Sequence, residues 1–127
     1  MQVPGVWSSA RTLARTFALC GLLGLLMPAA SAMSIRALHA LEKSDSKQGG
    51  NFKRYYLVGV MEGVLAAHDQ GVRSGATPRI CLNGRRLEPS MAEGLYQTEL
   101  QRNAELYEAD MPVGLVLGNA LTTVYPC

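Results

Sequence analysis

Between Ile35 and Val124 the apolar residues gather in segments where they recur three and four positions apart, and there is no strand pattern worth naming. That spacing is the period of helices with one buried face, so the chain has no pattern from which to build a sheet. Residues 34–43 read as a short helix, with Ser34 as its cap and Ile35, Leu38 and Leu41 on one side. Residues 44–51 are polar and end in Gly49-Gly50, which predicts a loop. The strongest helix runs from about Phe52 to Gln70. Phe52, Tyr56, Gly59, Val60, Gly63, Val64 and Ala67 form a stripe along it, and Leu57, Val58, Met61 and Leu65 make most of the remainder apolar, as expected of a central helix. Gly59 and Gly63 each cost a helix interior about 1 kcal/mol against alanine, so their place in the stripe predicts another backbone close by. Gly71 is a plausible stop.

Residues 72–89 carry Ser-Gly, Thr-Pro and Asn-Gly punctuation and read as a long loop. Pro89, Ser90 and Glu93 then have the spacing of a capping box, opening a third helix whose buried face is Met91, Leu95, Tyr96, Leu100, Ala104 and Tyr107. After a tight connection at 109–111, Pro112 suits a first helical turn. Val113, Val116, Leu117, Ala120, Leu121 and Val124 form the last stripe, which Tyr125-Pro126-Cys127 ends. The expected fold is all-α: a small four-helix domain.

The first 32 residues are of another kind. They hold Arg11 and Arg15, no acid, an apolar run from Phe17 to about Met27, and the small-residue sequence Ala30-Ser31-Ala32. That run is short of the roughly 20 apolar residues that span a bilayer, so it reads as a secretory signal cleaved after Ala32, not as an anchor. Cys20 is no lipoprotein site, since Leu19 precedes it where a small residue is wanted. The expected division is 1–32 signal peptide and 33–127 mature domain, located in the periplasm.

Export makes the two remaining cysteines, Cys81 and Cys127, an expected disulfide. Closing a loop of roughly 47 residues is worth about 4 kcal/mol in the chain-entropy model, a large share of the stability of a domain of about 95 residues. Arg11 and Arg15 are the only basic residues of the leader; the remaining basic residues match the 10 acidic ones in number, so the mature domain is formally neutral. Neutrality gives no argument for a nucleic-acid or anionic-membrane partner.

Chemistry is sparse. His39 and His68 stand apart, and with both cysteines oxidised they supply no metal site; no catalytic residue and no cofactor loop is marked. His39 reads as a partly exposed helix residue, and His68, beside Asp69, as a group favoured by the helix end. Three features suit recognition, each beside a plainer reading: Tyr55 and Tyr56 are aromatic anchors or, Tyr56 especially, core; Glu62, the one charge between Tyr55 and Ala67, bonds a partner or a neighbouring loop or is simply solvated; and Arg79, Arg85 and Arg86 of the 72–89 loop suit an acidic partner or solubility alone.

Three segments in order, Tyr55 to His68 with its Gly-x-x-x-Gly, Ile80-Cys81-Leu82, and Val116-Leu117-x-x-Ala120-Leu121-x-x-Val124-Tyr-Pro-Cys127, resemble the Rap1a/Tai family of immunity proteins over about residues 50–127. The resemblance implies a periplasmic antitoxin that forms a homodimer, binds a type VI-secreted peptidoglycan amidase and blocks its active site, without catalysis of its own. It also implies a fold similar to the acid-stress chaperones of the HdeA type. A periplasmic holdase is accordingly the alternative, and the acids Glu88, Glu93, Glu99, Glu105, Glu108 and Asp110 around the third helix would be its titrating groups. The chain departs from the family in having no cysteine in its first helix.

Overall fold

A computed structural model of the protein describes residues 32–127. The signal-peptide reading falls, except for Ala32, outside the described residues. Four helices follow one another: α1 (Ile35–Ser44), α2 (Gly49–Arg73), α3 (Met91–Arg102) and α4 (Val113–Val124), with a 3-10 turn at Ala104–Leu106. The described residues contain no strand, only isolated bridges joining Ser34 to Pro112 and Ile80 to Pro126. The domain is all-α with one disulfide, Cys81–Cys127.

Helix α2 packs against each of the other three, and α3 also packs on α4. Ser34 caps α1, its Oγ accepting the Ala37 N–H at 3.2 Å. The start of α1 is tied to the segment before α4: the N–H groups of Ile35 and Arg36 donate to the Met111 and Ala109 carbonyls, and Val113 N–H donates to Met33. The α4 stripe is buried from Val113 through Leu121, but Val124 at its end is 47% exposed.

The buried line of α2 is not the predicted one. Gly49, Lys53, Leu57 and Met61, four apart, face the core. At about 100° per residue the expected stripe is turned about one residue's step around the helix. Gly59 and Gly63 are exposed, with nothing within 4 Å of where a Cβ would stand. No backbone approaches them. The small residues at a helix contact are on α4, where a Cβ on Gly114 or Gly118 would meet Val60 or Val64 of α2 at 3.9 and 4.0 Å. The glycine that does require its lack of a side chain is Gly49, since a Cβ there would collide with the Glu42 carbonyl.

Other boundaries also move. Gly49-Gly50, expected in a loop, form the first turn of α2. The turn before them is made by Asp45, whose carboxylate accepts the Lys47 and Gln48 N–H groups at 2.7 and 2.9 Å. The helix runs past Gly71 to Arg73. The capping box at Ser90 does not form: Ser90 has helical dihedrals and makes no side-chain cap. In α3 the buried residues are Ala92, Leu95, Tyr96 and Glu99, while Met91 and Ala104 are exposed. Glu99 enters the core because it is four residues from Leu95, and the 3-10 turn rotates Ala104 out of the helical register.

Candidate functional site

The displaced stripe leaves α2 with an outward face on which exposed aromatics, glycines and alanines stand among charged and polar residues. Tyr55 is 75% exposed and Phe52 44%. Glu62 stands on the same side, seven residues and about 10 Å along the axis from Tyr55. Gly59 and Gly63 lie between and beside them. Tyr56 turns partly inward and packs on the core.

The 74–90 loop is held from three sides. His68, near the end of α2, accepts the N–H groups of both Arg79 and Ile80 through Nε2, at 3.1 and 3.2 Å. Its Nδ1 lies 3.3 Å from the Asp69 carboxylate. A ring nitrogen that accepts two amide protons carries none, so the neutral ring has its proton on Nδ1, facing Asp69. His68 is thus a latch for the loop rather than a group that merely suits a helix end. Second, the Cys81–Cys127 bridge joins the loop to the chain end, with Cα atoms 4.8 Å apart. Cys81 N–H also donates to the Tyr125 carbonyl at 2.9 Å. Third, the Arg85 guanidinium sits 5.9 Å from the Tyr125 ring centroid, a cation–π distance.

The structure therefore groups the expected recognition residues only in part. Tyr55 and Glu62 share the outer face of α2. Arg79 lies beside the His68 end of that helix, on a shallow groove of about 260 Å³ that also includes Leu115 and Asn119 of α4. Arg85 is at the other anchor of the loop, over Tyr125. Arg86 is exposed.

Two polar clusters were not anticipated. Lys53, 8% exposed, bonds Glu42 of α1 at 3.1 Å and Glu93 of α3 at 3.2 Å, linking three helices. Arg54 lies 3.7 Å from the same Glu93. Burial alone would pull the Lys53 ammonium down, but hydrogen bonds and charge from the two glutamates outweigh it and hold its pKa above the ordinary lysine value. Glu93, expected in a capping box, is drawn to these cations. In the second cluster Glu99, 6% exposed, accepts from Tyr107 at 2.7 Å and Asn103 at 3.0 Å, and Asn119 of α4 donates to the Tyr107 hydroxyl at 2.9 Å. Burial, and then this bond to Glu99, raise the Tyr107 pKa.

The signal for Lys53 was present: it is four residues before Leu57 and eight before Met61, on a line the lysine itself disguised as polar. Nothing local marks His68 as a loop anchor, because its partners are backbone groups 11 and 12 residues away.

Among the described residues no three histidine, cysteine or acidic side chains group as metal ligands, and no helix is long and apolar enough to cross a membrane. Comparison with protein-family models, with curated proteins and with solved structures returns no match to this chain.

Proposed function

We propose that this protein is a periplasmic immunity protein of the Rap1a/Tai type, a homodimer that binds a type VI-secreted peptidoglycan amidase and inhibits it by occluding its cleft. The observation that carries the reading is the outward face of α2, where Tyr55 stands 75% exposed beside Glu62 and two bare glycines. A domain that leaves a large aromatic exposed on its central helix, beside positions with no side chain, offers that face to be covered. The resemblance in the α2, Cys81 and Tyr-Pro-Cys127 segments supplies the class of partner. Inhibition of this kind is steric: a standard interface of about 1,600 Å² in total shuts a cleft without any chemical step.

The test is a cross-linked pull-down of the tagged protein from intact cells near neutral pH, read by mass spectrometry. One dominant cell-wall hydrolase in stoichiometric amount is the expected result. The complex weakens more than tenfold with Tyr55→Ala while the melting temperature stays in place, as for an interface anchor. Many weak partners captured only after acidification would replace this reading with the holdase. Recovery of the protein alone, with no hydrolase at any pH, would overturn it.

A further inference from the structure

A second concavity lies away from α2's outer face, where α1 crosses the start of α2 and the middle of α3. It is a half-open cleft of about 420 Å³, within the size range of small-molecule sites. Its floor is apolar, formed by Ile35, Leu38 and Leu100 with the ring of Tyr96. Its polar groups are few and converge from all three helices: Arg36, His39 and Glu42 from α1, Lys53 from α2, Gln97 from α3, with His39 Nδ1 3.9 Å from the Glu42 carboxylate. An apolar floor with a small set of placed polar groups is the common form of a ligand site.

Two observations specify what fits. The first is charge. Glu42 is already committed to Lys53 at 3.1 Å, and Lys53 to Glu93 as well. Arg36 is in no ion pair among the described residues; its backbone is fixed at the cleft because its N–H donates to the Ala109 carbonyl at 2.7 Å, and its exposed side chain is free to reach into it. The uncommitted charge in the cleft is positive. The second is Tyr96. Its side chain is 5% exposed, yet its hydroxyl bonds no described residue. Every fully enclosed side-chain polar atom among the described residues has a partner, so this hydroxyl reaches solvent through the cleft it lines. A tyrosine this deep ordinarily finds a partner for its O–H; here the cleft is where one would stand.

The geometry points to a binding site for a small apolar molecule bearing one carboxylate, its body on Ile35, Leu38 and Leu100, its charge on Arg36, and an oxygen within reach of the Tyr96 hydroxyl. A free fatty acid of medium length and the C-terminal apolar residue of a peptide share this chemistry. The site is independent of the antitoxin reading, since it uses neither the outer face of α2 nor the arginine loop.

The experiment is a titration of the purified protein, disulfide intact, followed by amide NMR. The probes are octanoate and N-acetyl-leucine, with octanol and octylamine as the uncharged and oppositely charged controls. Saturable shifts at Leu38, Tyr96 and Leu100 are expected with a carboxylate, and binding about tenfold weaker or worse with either control, the value of one charge-assisted hydrogen bond. Arg36→Gln is expected to bring carboxylate binding down about tenfold, to the level of octanol, at an unchanged melting temperature. Tyr96→Phe is expected to weaken it severalfold. Binding of octanoate alone assigns the site to free acids, and binding of N-acetyl-leucine alone to a peptide terminus. Absence of saturable shifts with both carboxylates, octanol binding equally well, or an Arg36→Gln variant that binds as the parent does would overturn the proposal.

Discussion

At the scale of single residues, two side chains near the start and the end of α2, Lys53 and His68, carry more than their types suggest. His68 accepts two backbone N–H groups of the loop. Replacing it with alanine leaves the part-buried Ile80 N–H without an acceptor, while the exposed Arg79 N–H can turn to water, and costs about 1–3 kcal/mol. The expected signature is local: hydrogen exchange at Arg79 and Ile80 accelerates before the global melt changes in shape. Equal protection in His68→Ala would mean that the disulfide alone holds the loop. Lys53, Tyr96 and Tyr107 make a prediction of a different kind. All three have pKa values raised above their ordinary values, Lys53 despite burial and the tyrosines because of it. In each case the folded state holds its proton more tightly than the unfolded chain does. The stabilisation from the Lys53 pairs is fully present below pH about 10.5, the unfolded lysine value, and is lost as pH rises through the folded value; the tyrosines lose stability in the same direction from pH about 10 upward. Melting temperature is therefore expected to fall steeply above pH 10. Lys53→Met, already less stable at pH 7 by about 2–3 kcal/mol because two glutamates lose their shared cation, is expected to show a shallower alkaline decline. A parent and variant that fall in parallel would remove Lys53 as a cause.

At the scale of elements, the glycines of α2 separate into two roles. Gly59 sits in a solvent-facing helix interior with open space around it, so Gly59→Ala is expected to raise stability by about 0.5–1 kcal/mol through helix propensity and the unfolded chain's entropy. The same added methyl roughens the face on which Tyr55 and Glu62 stand, so a gain in stability with a loss of partner binding would locate the contact there. Gly49→Ala has the opposite sign. The new Cβ meets the Glu42 carbonyl, a backbone group that cannot step aside, and α1 must shift from α2. Urea melts of the two variants decide the point: equal midpoints would contradict the distinction between them. The reason apolar spacing misplaced α2's buried line is physical. A helix that is apolar over most of its circumference has a weak preferred direction, and the preference was settled by Lys53 finding two glutamates on other helices.

For the whole molecule, the Cys81–Cys127 bridge ties the loop between α2 and α3 to the end of α4, across 46 positions. Cys127→Ser is expected to lower stability by about 2–4 kcal/mol. The loss should be smaller than the loop-entropy value if the Ile80–Pro126 bridge and the Cys81–Tyr125 hydrogen bond keep the loop in place. Denaturant midpoints of the oxidised, reduced and Cys127→Ser proteins give the three values; a variant as stable as the oxidised parent would show that packing of α4 holds the end of the chain without the bridge.

Much of this fold was legible in the order of residues. Helix count, the centrality of α2, the Ser34 cap, the α4 stripe and the cysteine pair all follow from local spacing and from short-range hydrogen bonding, which the chain carries along its own length. The candidate surface was half legible: Tyr55 and Glu62 could each be singled out by residue type, but their sharing one exposed face and the bareness of Gly59 and Gly63 could not, because a glycine in a stripe looks the same whether it faces a neighbour or water. What only the tertiary structure decided are the pairings between elements: Lys53 between Glu42 and Glu93, Tyr107 under Asn119 of α4, and His68 on the backbone at Arg79 and Ile80. Each of those is a polar group whose burial is tolerable only when a partner arrives from a distant part of the chain, and no local pattern records where that partner comes from.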